Sequence, residues 1–131
     1  MPRFATILLV SLFATAVFAD APDPAEAPSL SATELNARRE AGTGPVVIDV
    51  RTPEEFASGH VPGALNIPFD QVVERIATVE APNGVALYCM VGPRARKGEA
   101  ALLAAGHGDV FHLEGGLAAW KAAGLPVTPA E

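Results

Sequence analysis

The sequence predicts an α/β fold, a parallel sheet flanked by helices on both faces. Two observations carry this. Short apolar runs of strand length recur at Val46–Val50, Ala64–Ile67, Val85–Tyr88 and Asp109–Leu113. Between them lie segments with helical start and stop signals. Strands that alternate with helices run parallel and need cover on both faces.

The first helix opens at Ser31. Ser31 and Glu34 form a capping box, and Leu30 and Leu35 are placed to clasp its entrance as a hydrophobic staple. Gly42 stops it near Ala41. Pro45 then leads into Val46–Val50, an apolar run suited to a central strand. Thr52 and Glu55 make a second capping box, with Pro53 at the first helical position. That helix is short and ends at Gly59. His60 to Gly63 reads as a turn fixed by His60, and Ala64–Ile67 as a short strand closed by Pro68. Asp70 is placed to cap a third helix, whose apolar positions are Val72, Val73 and Ile76. Pro82-Asn83-Gly84 turns the chain into the strand that ends at Cys89. An alanine- and leucine-rich helix covers Ala95–Ala105 and stops at Gly106. The strand Asp109–Leu113 follows, then Gly115-Gly116 opens a last helix in which Leu117 and Trp120 face the core.

The 131 residues suffice for one domain, and half of them are hydrophobic. A net charge of −6 argues against a nucleic-acid partner. The two ends of the folded part differ in kind. Residues 1–19 read as a secretory signal peptide: Arg3, then an apolar stretch from Phe4 to Phe18, then Ala19 before Asp20. The apolar stretch is shorter than the ~20 residues a membrane span needs, so the mature form is expected to carry no span. The protein is therefore expected in the periplasm or outside the cell. Residues 20–29 contain Pro22, Pro24 and Pro28 and read as a flexible tether. The domain proper is expected over residues 30–129.

Cys89 is the single cysteine, so no intrachain disulfide can form. It lies on a strand-to-helix turn, where unpaired backbone N–H groups and the positive end of a helix favour the nucleophilic thiolate. Arg94, Arg96 and Lys97 follow within eight positions on an otherwise acidic chain. A nucleophile, an anion-binding turn and local cations point to attack on a small anionic substrate. The competing reading is a buried cysteine acting as a small hydrophobe. In parallel sheets the ligand lies beyond the carboxyl ends of the strands. Asp49-Val50-Arg51 and Tyr88-Cys89 both sit at such ends and should border one crevice. His60, His107 and His112 have no metal-ligand spacing with Cys89, and no metal is expected.

Several ordered motifs resemble those of rhodanese domains. Val47 to Arg51, Pro53 to Phe56, Gly59 to Ala64 and Asn66 to Pro68 resemble the family's N-terminal motif. Cys89 to Arg94 resembles its six-residue active-site loop. Glu114 to Trp120 and Gly124 to Val127 resemble its C-terminal motif. The resemblance covers about residues 31–127. With the export signal, the chain resembles periplasmic single-domain thiosulfate sulfurtransferases. It implies the rhodanese-like fold and a persulfide mechanism without a cofactor. Cys89 takes the outer sulfur of thiosulfate, sulfite leaves, and the sulfur passes to cyanide or to a thiol. Cys89 is then the catalytic residue, and Met90, Val91, Gly92, Arg94 and Ala95 bind the substrate. Arg94 is placed to hold the sulfonate oxygens by two parallel hydrogen bonds. Pro93 departs from a loop of donors, since it has no N–H.

Asp49 and Arg51 could touch substrate. As supporting residues they have a simpler role, with Asp49 bracing the active-site loop and Arg51 paired with Glu54 or Glu55, because charged groups at strand ends need partners. A different class of function is a non-catalytic rhodanese-like sulfur carrier or partner-binding module. An outside alternative is arsenate reduction or phosphate-ester hydrolysis on the same scaffold. Cysteine phosphatases use the longer Cys-x5-Arg loop, and Cys89 and Arg94 here give Cys-x4-Arg.

Overall fold

The computed structural model describes residues 26–129. The signal-peptide segment and most of the tether lie outside them. Ten elements follow in the order β1 (Ser29–Leu30), α1 (Ala32–Glu40), β2 (Val46–Asp49), α2 (Pro53–Ala57), β3 (Leu65–Asn66), α3 (Val72–Arg75), β4 (Val85–Tyr88), α4 (Pro93–Ala104), β5 (Val110–Leu113) and α5 (Gly116–Ala122). A 3-10 turn, Ile76–Thr78, extends α3.

The five strands form one parallel sheet in the order β1-β5-β4-β2-β3. Alternation along the strands divides the core in two. Val85, Leu87, Ile48 and Val110 pack with Val72, Ile76, Ala95 and Leu102 on the face covered by α3 and α4. Ala86, Tyr88, Val47 and Leu113 pack with Leu35, Leu117 and Trp120 on the face covered by α1 and α5. The expected fold class stands as read.

Both capping boxes are present. Ser31 Oγ accepts the Glu34 N–H and the Glu34 carboxylate accepts the Ser31 N–H, and Thr52 and Glu55 repeat the arrangement. Trp120 is fully buried, with its indole N–H on the Pro126 carbonyl. His60 fixes its turn by stacking on Phe56 and bonding the Phe56 carbonyl through Nδ1.

Three details differ from the sequence reading. Ordered structure begins inside the segment read as tether: Ala27 is buried, and Ser29 and Leu30 pair with His112 and Leu113. A two-residue strand has no periodicity to read, and it exists because β5 offers it an edge. Asp70 does not cap α3. Gln71 holds the N-cap position, with no side-chain bond to the helix. Finally, α4 starts at Pro93 rather than Ala95. Proline is suited to a first helical position, where its missing N–H would have had no intrahelical partner. The turn after Cys89 is correspondingly short, and Arg94 already belongs to the helix.

The chain leaves β2 toward β3 on one side and leaves β4 toward β5 on the other. The carboxyl ends of β2 and β4 therefore flank the point where the winding reverses. That is where parallel sheets open a ligand crevice.

Candidate active site

Cys89 directly follows β4 and is buried, with 1% of its surface exposed. Its Sγ accepts the Gly92 N–H at 3.1 Å. Gly92 is the N-cap of α4 with φ of 150°, a conformation that side-chain-bearing residues rarely adopt. The sulfur thus sits at the N-terminal end of a twelve-residue helix, with a backbone donor aimed at it. Met90 and Val91 are exposed, at 39% and 60%, and give the mouth of the site an apolar rim. Ala95 is fully buried among Leu87, Leu102 and their neighbours, so its side chain serves the core rather than a ligand.

The turn is fixed from behind by α5. The Leu117 N–H donates to the Cys89 carbonyl at 2.9 Å and the Ala118 N–H to the Met90 carbonyl at 3.1 Å. These are first-turn N–H groups, which lack partners within their own helix. Such close approach requires glycine at 116. A Cβ there would lie 2.7 Å from the Met90 carbonyl oxygen and closer still to that of Cys89. The sequence reading took Gly115-Gly116 only as a helix opening and missed this contact. A glycine pair at a helix start is its only trace in the sequence.

The cations beside Cys89 separate on folding. Arg96 turns away to the Ala27 carbonyl, Ser29 Oγ and Glu99. Lys97 lies over the Phe69 ring at 5.9 Å. Arg94 remains near the sulfur, but its fork is engaged: Nη1 donates to Glu55 Oε1 at 2.6 Å and Nη2 to Oε2 at 3.0 Å. The Arg94 hydrogen bond holds the Glu55 carboxyl down at about 2, and Glu55 in turn raises the Arg94 guanidinium. The two parallel donors expected to meet substrate oxygens thus already meet a carboxylate.

Asp49 and Arg51 also differ from expectation. Arg51 pairs with neither Glu54 nor Glu55. Its Nε and Nη2 both bond Asp49, the shortest contact being 2.7 Å, and Nη2 also donates to the Gly59 carbonyl at 2.7 Å. Residues two apart in extended chain share a face, so Asp49 is the nearer partner. The Asp49 carboxylate bonds Arg51, including the Arg51 N–H at 3.0 Å, rather than the Cys89 turn. Asn66 closes this knot by donating to the carbonyls of Asp49 and Arg51. Burial works against the Arg51 charge, but the Asp49 hydrogen bond and charge outweigh it and raise the guanidinium. Tyr88 lies beneath, accepting the Val61 N–H at 3.0 Å, its phenol pushed well up by burial and then by Asp49.

A buried cysteine beside the N-terminus of a helix, at the switch point of a parallel sheet, matches a known arrangement. Residues 31–123 match the family described as rhodanese-like domain. The chain belongs to that family. A sulfurtransferase of Allochromatium vinosum is 36% identical over 86 residues, which cover 66% of this chain and 80% of that one. The HTH-type transcriptional regulator Rv0324 of Mycobacterium tuberculosis is 36% identical over 100 residues, 76% of this chain but only 44% of the regulator. Among solved structures, a thiosulfate sulfurtransferase from Pseudomonas aeruginosa superimposes with a TM-score of 0.73 at 29% identity, covering 80% of this chain and 21% of that one. The match thus spans most of the first relative and less than half the length of the other two. Proteins named sulfurtransferase, from Allochromatium vinosum and Pseudomonas putida, are among the relatives of this chain, beside a transcriptional regulator.

Proposed function

We propose that the protein moves sulfane sulfur from thiosulfate to cyanide or a thiol acceptor through a persulfide on Cys89. The observation that carries this reading is the Gly92 N–H on Cys89 Sγ at the start of α4. A donor fixed before reaction stabilises charge that develops on sulfur without reorganisation at the moment of attack. In the first step the thiolate attacks the outer sulfur of thiosulfate, the S–S bond breaks, and sulfite leaves with the electron pair. In the second a thiolate or cyanide takes that sulfur and restores Cys89. The relative named thiosulfate sulfurtransferase supports the choice of donor.

The test is the mass of the intact protein after incubation with thiosulfate. The expected result is a gain of one sulfur that a reductant removes, absent from Cys89→Ser. No gain in folded wild-type protein would favour a partner-binding module instead. We further propose export, with cleavage before Asp20. N-terminal sequencing of the exported chain should begin at or near that residue, and full-length protein retained in membranes would refute it. Among the described residues no helix is long and apolar enough to cross a membrane.

A further inference from the structure

The sequence places three cations just after Cys89, yet folding pairs each of them or turns it away. Arg96 and Lys97 face elsewhere, and the Arg51 charge is buried on Asp49. Arg94 is covered by Glu55 through both terminal nitrogens. The rim is apolar, made by Met90 and Val91. Glu55 is also held from the other side. Its Oε1 accepts from the Thr52 N–H at 3.4 Å and from the Thr52 hydroxyl at 3.3 Å, as part of the α2 cap. A carboxylate tied both to a helix cap and to Arg94 is not free to swing aside when an anion arrives. A dianion entering here meets a neutralised fork and a fixed negative charge.

We propose that Glu55 is a specificity-determining residue, which screens Arg94 and disfavours dianionic sulfur donors relative to donors of one charge or none. This rests on the reading of Cys89 as the sulfur-accepting nucleophile. The favoured class is an organic persulfide, R–S–SH with an uncharged R, which carries at most one charge. Cys89 thiolate attacks the terminal sulfur, the S–S bond of the donor breaks, and R–S⁻ leaves with the electron pair. The proton stays on the transferred sulfur as Cys89–S–SH. No oxidant or reductant is needed. Thiosulfate remains a donor, but an inefficient one.

The single cysteine allows a test independent of sulfur transfer. Iodoacetate and iodoacetamide alkylate a thiolate by the same displacement of iodide, and only the first is an anion. The ratio of their rate constants therefore reports the charge that an anion meets on its way to Cys89. Removing one fixed charge several ångströms from the path, in partly solvated surroundings, changes such a rate by roughly three- to tenfold. Glu55→Gln keeps an N3 side chain able to close the capping box, so the helix start survives. It should raise the iodoacetate-to-iodoacetamide ratio by about that factor. In the transfer assay it should raise kcat/KM for thiosulfate about tenfold, with no more than about a threefold change for an organic persulfide. Glu55→Asp keeps the charge and should leave the alkylation ratio within about twofold of wild type. A ratio that does not move in Glu55→Gln, or a fall in thiosulfate efficiency, overturns the role of Glu55 and leaves the chemistry of Cys89 standing. Sulfur transfer that survives Cys89→Ser overturns the reading beneath it, whatever the ratio does.

Discussion

Two arginine–carboxylate pairs border the same end of the sheet, and they differ mainly in burial. Arg51 and Asp49 are 2% and 0% exposed, while Arg94 and Glu55 are 33% and 34% exposed. Both are bidentate and short. The inner pair lies under the crevice, with Arg51 Nη2 also on the Gly59 carbonyl and the backbone locked by Asn66. The outer pair stands at the mouth, where its charges are felt by whatever enters. The same chemical group thus serves as a beam in one place and as a filter in the other. The difference is solvent access rather than residue type.

That contrast can be broken from either side. The largest effect should come from the inner pair. Asp49→Ala leaves a buried guanidinium without its counter-charge, which costs about 3–5 kcal/mol. Thermal denaturation should show Tm falling by on the order of 10–20 °C. A loss under about 1 kcal/mol would mean that water reaches Arg51. Arg94→Ala should do the reverse, with a stability change within about 1 kcal/mol, as for partly exposed pairs. It removes the cation and bares Glu55, so kcat/KM for thiosulfate should fall by roughly ten- to a hundredfold. Since Glu55→Gln is expected to raise the same constant, the two halves of one ion pair should have opposite kinetic signs. A fall in both would make the pair a structural unit like the inner one. The smallest effect is a titration. The folded Glu55 carboxyl sits at about 2 against an ordinary 4.5, so its contribution to stability is complete above pH 4.5 and is lost as pH falls toward 2. Carbon NMR of the Glu55 carboxyl should show this, and Arg94→Ala should return the midpoint toward 4.5.

What the sequence disclosed was local. The capping boxes of Ser31 and Thr52 lie within four residues and form as read. Cys89 before a helix N-terminus was legible for the same reason. What it hid was set by packing at long range. Glu55 reads as a cap residue, and nothing nearby announces Arg94, 39 positions on. The sequence pairs Arg51 with Glu54 or Glu55 only on the ground that a charged group at a strand end needs a partner. The extended backbone instead turned it toward Asp49, on its own face of the strand. The three cations after Cys89 formed one patch in the sequence, but a helix spreads successive side chains around its axis. Arg96 consequently reaches β1 and Lys97 reaches Phe69. The strand β1 owes its existence to β5 and has no signature of its own.

The bonds from Leu117 and Ala118 to the carbonyls of Cys89 and Met90 have a consequence for biosynthesis. A ribosome makes the thiol 27 residues before the glycine that lets α5 close over its turn. Until that helix emerges and docks, the nascent chain carries a cysteine with no fixed geometry around it. The turn around Cys89 therefore cannot be braced before α5 has been made. A chain released early, short of Gly116, would carry Cys89 on a turn without its brace.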